Sequence, residues 1–347
     1  MKTSRRAFLK ATAAAIAAPA IVGAQDKAGN QPVVVGKGNF RYACHHGWGQ
    51  LPPGLKWQTT HGVAVDSAGL IYITHRGTAR DAGDTIVTFD AKGKHVRSFG
   101  REYHGGGHGI DIRKEGTDEF LYLSNTRKQN VVKTTLKGEV VWTKALPRET
   151  GKYDGDQPKY SPTNVNFMPD GGFVIGDGYG SHFLHRYDKD AKWMHSWGGF
   201  GDAPGKMKTP HGHWLDERPG RKPAIVVCDR ANARLQYFGL DGKHLGFVAG
   251  LSFPADIDIR GEVMLVPDLH ARISLFDKNN QLIDHLGHDP EWTRQALANN
   301  FAMRSNPDKW QAGRFVHPHD ACFDHDGNIF VAEWVATGRI TKLERLG

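Results

Sequence analysis

Apolar and polar residues alternate in short runs along most of the chain. The first pair is His61-Gly-Val-Ala-Val-Asp66 and Leu70-Ile-Tyr-Ile-Thr74, separated by an Asp/Gly turn. A period of two over a few residues, bounded by Gly, Asp and Asn, predicts half-buried β-strands. Thr85-Ile-Val-Thr-Phe-Asp90 and Lys94-His-Val-Arg-Ser-Phe-Gly100 complete a set of four. Related units begin near His108, Asn164, His211, Ala255 and His319. Four-strand units recurring every 45 to 55 residues or so are the pattern of propeller blades, and six units predict six blades.

The last unit is short: Ile329-Phe-Val-Ala-Glu333 and Arg339-Ile-Thr-Lys-Leu343 are strands, and an outer strand is lacking. Near the other end, Asn39-Phe-Arg-Tyr-Ala43 runs into Gly47-Trp48-Gly49, an exit similar to Ser196-Trp197-Gly198 of the third unit. The N-terminal strand is therefore expected to complete the final blade and close the ring, which leaves no open edge to aggregate. The predicted class is all-β, a six-bladed propeller. Its alternation followed by Asp-x-x-Gly resembles the NHL repeat, and Asp229-Arg-Ala-Asn-Ala-Arg-Leu-Gln-Tyr-Phe238 matches that repeat's ending.

Residues 1–24 carry Arg5-Arg6-Ala-Phe-Leu-Lys10, a short Ala/Ile-rich run and small residues at Gly23-Ala24. They resemble a twin-arginine-type signal peptide, which implies the twin-arginine export machinery as a partner and a periplasmic or secreted location. Residues 25–347 are expected to form a single domain, since no linker or composition break divides them. The apolar run at the N-terminus is too short for a stable membrane span, and no other stretch approaches that length. Loss of Lys2, Arg5, Arg6 and Lys10 takes the net charge from +8 to +4. That mild excess, without a basic stripe interleaved with aromatics, argues against nucleic acid. Cys44, Cys228 and Cys322 have no metal-ligand spacing. Cys228 and Cys322 lie in apolar runs and are expected to be buried thiols, with one disulfide left open.

The chemistry concentrates in histidines. Gly-His108-Gly, Pro-His211-Gly-His and Pro-His319-Asp head three similar segments, 103 and 108 residues apart. In a six-bladed ring that spacing places one imidazole at the same position of every second blade, so the three converge. Singly, each is explained by a turn or packing role. Together they are candidate ligands that suit zinc best, and iron or copper less well. His61 matches them in the first unit, with Asn164 and Asp256 near the same position in two others. His61 is a fourth ligand, a partner to a ligand, or a substrate contact. Asp320 next to His319 is either a turn carboxylate or a ligand for a hard cation such as calcium. His45-His46, His104 and His213 are expected to lie outside the ligand set.

Over nearly all of 25–347 the chain resembles the peptidyl-alpha-hydroxyglycine alpha-amidating lyase family. The resemblance rests on Thr74-His75-Arg76-Gly77, Gly-His108-Gly-Ile-Asp, Gly176-Asp177-Gly178-Tyr179, Ser196-Trp197-Gly198, Pro210-His211, Cys-Asp229-Arg230-Ala-Asn-Ala-Arg234 and Pro318-His319-Asp320. It implies catalytic zinc on His108, His211 and His319. It also implies structural calcium on Asp320 and the backbone oxygens of Val63 and Ile110. Tyr179, Arg76 and Arg230 become the catalytic residues, with Tyr179 the general base and the arginines paired to a substrate carboxylate. The implied reaction cleaves a carbinolamide N–C bond of a small or peptide substrate, giving an amide and glyoxylate. The family's cysteine beside the tyrosine is Gly180 here, and no monooxygenase domain accompanies the lyase-like chain. The alternatives are a non-catalytic propeller that binds a ligand or partner at its channel mouth, and a metal-dependent hydrolase of lactones or glycosides. The hydrolase would need Asp111, Asp256 or Asp320 as base or ligand.

Overall fold

Six antiparallel sheets stand around one axis in the computed structural model, which describes residues 32–77 and 83–347. Blades 1 to 5 are four-stranded meanders spanning 60–99, 107–144, 164–198, 210–248 and 258–286. Blade 6 joins Pro318–Phe323, Ile329–Glu333 and Arg339–Arg345 to two strands from the other end of the chain. The signal segment expected over 1–24 lies outside the described residues.

The expected ring closure is present, with Tyr42–His46 antiparallel to Arg339–Arg345 and Cys44 opposite Leu343. The pairing starts three residues later than the Asn39–Ala43 run because the chain turns first. Gly36 has φ +88°, and a Cβ there would lie 1.9 Å from the Phe40 carbonyl, a turn open only to glycine. That turn folds Val33–Val35 back on Tyr42–His46 as a fifth strand of blade 6.

Alternation works here because each sheet packs both faces against its neighbours. Val63, Ile73 and Phe89 of blade 1 meet Phe330 and Ile340 of blade 6, whereas Tyr72 and Ile86 from its other face meet Ile110 and Leu123 of blade 2. The same exchange continues around the ring. Each buried aliphatic or aromatic side chain in these layers contributes about 1.5–3 kcal/mol. The first strand of each blade is innermost, so strand beginnings gather at one mouth of the channel.

One segment departs from the repeat. Between blades 5 and 6 lies the helix Pro290–Phe301, followed by two 3-10 turns, Ala302–Ser305 and Pro307–Lys309. Asp289 caps the helix by accepting the Trp292 N–H at 2.9 Å, with proline at the first helical position. Trp292 and Ala296 anchor it on Ala271, Val316 and Val335. The helical path breaks at Ala298, and Asn299, Asn300 and Phe301 adopt left-handed backbone conformations.

Candidate active site

Each histidine of the triad enters its strand at a bulge. Pairing with the second strand slips between Gly107 and Ile110, Pro210 and His213, and Pro318 and Asp320. A bulge re-aims a side chain, and these turn His108, His211 and His319 towards one another. The glycines that follow two of them are required sterically. A Cβ at Gly109 would lie 2.5 Å from the Thr163 carbonyl oxygen, and one at Gly212 would lie 2.1 Å from Asp256 Oδ1.

All three imidazoles are buried, with one nitrogen from each lying within 4.8 Å of the others. Their outer nitrogens follow a threefold pattern. Nδ1 of His108 donates to Thr163 O at 2.8 Å, that of His211 to Ala255 O at 2.6 Å, and that of His319 to His61 O at 2.9 Å. A carbonyl only accepts, so the proton sits on Nδ1 and every Nε2 presents a lone pair inward. His108 Nε2 and His211 Nε2 are 3.2 Å apart, and His319 Nε2 has no hydrogen-bond partner among the described residues. Lone pairs facing each other repel, and a cation between them relieves that cost. The donor set therefore fits a metal ion, with orienting carbonyls of the kind that fix liganding histidines. Burial, reinforced by the Arg230 charge and neighbouring imidazoles, lowers His108 to about 3 and holds His211 and His319 well below 6.5. Neutral imidazoles at ordinary pH are ready to coordinate.

A second ring of residues comes from where the second strands end. Ile71–His75, Asp118–Asn125, Ala224–Asp229, Val263–Asp268 and Ile329–Glu333 close on polar residues, and Asp177 follows Phe173–Gly176. The residues just beyond these ends include Arg76, Tyr179, Arg230, Leu269 and Trp334. Asp229 accepts from Lys208 N at 2.8 Å, Asn232 Nδ2 at 2.9 Å and Arg234 Nε at 2.7 Å, fixing the turn that carries Arg230. Asp177 does the same for Tyr179, accepting from Ser161 N at 2.7 Å and Ser181 N at 2.6 Å. A Cβ at Gly180 would lie 2.0 Å from Asp177 Oδ1, so any side chain there would displace that carboxylate.

Tyr179 and Arg230 meet over the triad. The phenol oxygen lies 2.9 Å from His211 Nε2 and 3.2 Å from His108 Nε2, and accepts a hydrogen bond from Arg230 Nη1 at 3.1 Å. Tyr179 keeps 45% of its surface exposed, whereas Arg230 is 4% exposed. Arg230 Nε donates to Pro254 O at 3.4 Å, and its Nη2 has no partner among the described residues. Arg76 stands exposed at the rim, with Nε donating to Gly105 O at 3.3 Å and a charge that bears on His61 and His108.

A cavity of about 180 Å³ opens beside His319 and Tyr179. Six of its walls were not legible as site residues: Phe253, Leu269, His270, Phe301, His317 and Trp334. Leu269, His270 and Trp334 follow the ends of second strands, a pattern that the repeat shows only once the blades are aligned, and Phe253 lies in the connection between blades 4 and 5. Phe301 comes from the insertion. His317 stands two residues before His319, and burial lowers it to about 4.

The other histidines singled out in the sequence stand outside the three-histidine group, and of them only His61 touches it. His61 packs edge-on to His319, ring centres 4.9 Å apart, and bonds Thr59 O through Nδ1 at 3.0 Å. His213, one bulge away from His211, is buried against Asn166 at 2.5 Å. His46 bonds Thr341 Oγ1 at 2.7 Å, His45 pairs with Glu344 at 3.2 Å, and His104 bonds Arg101 O at 3.0 Å. Cys228 is buried and its thiol lies 3.5 Å from Asp256 O; Cys322 is half-buried, with no bridge between the two.

The channel also buries carboxylates. Asp320 accepts the Val63 N–H at 2.8 Å, Asp256 accepts from Asn164 Nδ2 at 2.9 Å, and one oxygen of Asp111 has no partner. Burial first, then mutual repulsion, raises Asp111 and Asp320 well above the usual range. Asp256 is raised to about 7 and Asp258 to about 6, chiefly by burial. Among the described residues, the three-histidine ligand group includes no carboxylate, and none lines the cavity.

No family model matches the chain, and no curated protein matches it in sequence. Solved structures do match in shape. A streptogramin B lyase aligns over 87% of this chain and 97% of its own, with a TM-score of 0.57 and 11% identity. Virginiamycin B lyase from Staphylococcus aureus aligns over 88% and 100%, with a TM-score of 0.55 and 12% identity. A gluconolactonase from Xanthomonas campestris aligns over 83% and 87%, with a TM-score of 0.56 and 13% identity. At such identity the likeness establishes the six-bladed fold and leaves the chemistry to the site.

Proposed function

We propose that this protein is a zinc-dependent lyase that cleaves the N–C bond of a carbinolamide, taking a peptidyl-alpha-hydroxyglycine-like substrate to an amide and glyoxylate. The observation that carries the proposal is the meeting of Tyr179 O with two inward-facing imidazole nitrogens and one buried guanidinium. The likeness to enzymes among propellers of this shape agrees with a catalytic role, and two of those neighbours are themselves named lyases.

Zinc held by His108, His211 and His319 would supply Lewis acidity towards the substrate hydroxyl. Tyr179 O is placed to take the hydroxyl proton, with an Arg230 N–H aimed at the same oxygen. As the carbonyl of glyoxylate forms, the C–N bond breaks and its electron pair goes to nitrogen. Tyr179 returns its proton there, releasing a neutral amide. The free Nη2 of Arg230 faces the substrate carboxylate, with Arg76 at the rim as a second cation. Calcium on Asp320, with backbone oxygens of Val63 and Ile110, would neutralise part of the charge of the buried channel carboxylates. The twin-arginine-type N-terminus supports export to the periplasm or beyond.

A lactone or glycoside hydrolase would need a carboxylate at the reacting atoms, and Asp111, Asp256 and Asp320 stand outside both the ligand group and the cavity. Incubating the mature protein with alpha-hydroxyhippurate tests the choice. Glyoxylate formation that Tyr179→Phe abolishes supports the lyase; hydrolysis of a lactone with no glyoxylate overturns it.

A further inference from the structure

Two of the residues that line the cavity beside the triad carry buried atoms of opposite kinds with no partner among the described residues. Arg230 Nη2 is a donor without an acceptor, and His317 Nε2 is an acceptor without a donor. The tautomer of His317 follows from its other nitrogen, which lies 2.8 Å from Leu269 O and must carry the proton to make that bond. His317 is 1% exposed, so bulk water does not satisfy its lone pair. A buried polar atom left without a partner is costly, and one on a side chain that lines a cavity is a candidate to meet a ligand there.

The walls between those two atoms are flat rings. Phe253 and His270 are parallel, with centres 5.1 Å apart and planes at 7°. Phe301 stands at 90° to His317 with centres 5.2 Å apart, and Trp334 meets the same imidazole edge-on with centres 5.9 Å apart. Phe301 reaches this wall from a left-handed backbone position, φ +61°, a conformation that a bulky residue holds at an energetic cost. The insertion between blades 5 and 6 thus spends strain on presenting an aromatic ring to the cavity. A cavity of 150 Å³ holds a benzene ring, so about 180 Å³ takes one ring or a compact fused pair.

We propose that this cavity is a recognition pocket for a planar aromatic group bearing a ring N–H, which donates to His317 Nε2 while the same molecule's carboxylate engages Arg230. The proposal deepens the lyase reading, and rests on it, in assigning that aromatic group to the acyl side of the scissile amide. The pocket's own chemistry can be measured without turnover. The probes are indole-3-acetate and benzofuran-3-acetate, which share shape and charge and differ in that the second has oxygen in place of the N–H. Calorimetric titration of the metal-loaded protein is expected to show indole-3-acetate binding about tenfold tighter, the effect of one buried hydrogen bond. His317→Leu should erase that preference while keeping affinity for the benzofuran, and His317→Gln, which retains an acceptor oxygen, should keep part of it. Equal binding of the two probes by the unmodified protein overturns the proposal, as does a preference that survives in His317→Leu. Neither probe has a hydroxyl to react. A chain that discriminates between them yet releases no glyoxylate from alpha-hydroxyhippurate keeps this pocket and loses the lyase reading, and the converse result does the opposite.

Discussion

Arg230 places a guanidinium N–H 3.1 Å from the phenol oxygen of Tyr179, and does so from a position only 4% exposed. A charged donor shielded from water and aimed at one oxygen is worth more than the same contact at the surface. The two residues are 51 positions apart and come from different blades, so the contact is made by the ring, through turns that Asp177 and Asp229 hold in place. Tyr179→Phe removes the oxygen and nothing else. It should leave metal content and the fold intact and lower kcat by about 10²- to 10⁴-fold, the range for loss of a positioned acid–base group. Steady-state kinetics with zinc analysis on the same sample checks both halves.

Arg230→Lys keeps the positive charge and loses the planar fork. If Arg230 both steadies Tyr179 and pairs with the substrate carboxylate, KM should rise and kcat fall together. The combined loss in kcat/KM should be about 10- to 100-fold, as for a charged hydrogen bond. A rise in KM alone would leave Arg230 with the carboxylate and take it away from Tyr179.

His211→Ala leaves two imidazoles where three converge. Bound zinc should fall from about one per chain to almost none after dialysis, with the strand spectrum in far-ultraviolet circular dichroism retained. His213→Ala is the matched control: its ring is buried on Asn166, one bulge away. It should cost stability and leave metal binding intact.

Gly212 is tied to the same geometry. A Cβ there would lie 2.1 Å from Asp256 Oδ1 and 2.4 Å from Asp256 Cα. Gly212→Ala must push blade 4 away from blade 5, at about 1–3 kcal/mol, and displace His211. Urea denaturation and zinc affinity should worsen together.

The channel carboxylates set a pH dependence. Burial raises Asp256 from its ordinary 3.8 to about 7, so the folded chain retains a proton that the unfolded chain gives up above pH 4. Stability from this group is complete below about pH 4 and is lost as the pH rises through 7. The buried histidines, held neutral, push the other way below pH 6.5, so the comparison is between protein and variant. In chelator-treated protein, Asp256→Asn should raise the melting temperature more at pH 7 than at pH 5. If calcium binds Asp320 as proposed, calcium added to the unmodified protein should do likewise.

The blades, the closure and the convergence of the triad were legible because each is a local pattern repeated at a fixed spacing: alternation gives strands, and His-Gly or His-Asp at a strand start gives the candidate ligands. The closing strand was displaced by three residues because the turn at Gly36 depends on the approach of the Phe40 carbonyl, which no local pattern announces. The cavity was not legible at all. Phe301 reaches it through an insertion outside the repeat, and His317 looks like any residue preceding a Pro-His pair until its neighbours are in place. Arg230 was visible as part of a repeat ending, but its burial against Tyr179 is a property of two blades at once.

The most direct measurement is glyoxylate release from alpha-hydroxyhippurate by the chelator-stripped protein, before and after one equivalent of zinc. A metal-dependent lyase gives none before and sustained release after, with amide and glyoxylate in equal amounts. Release that is the same without metal, or zinc bound on the triad with no glyoxylate formed, would contradict it.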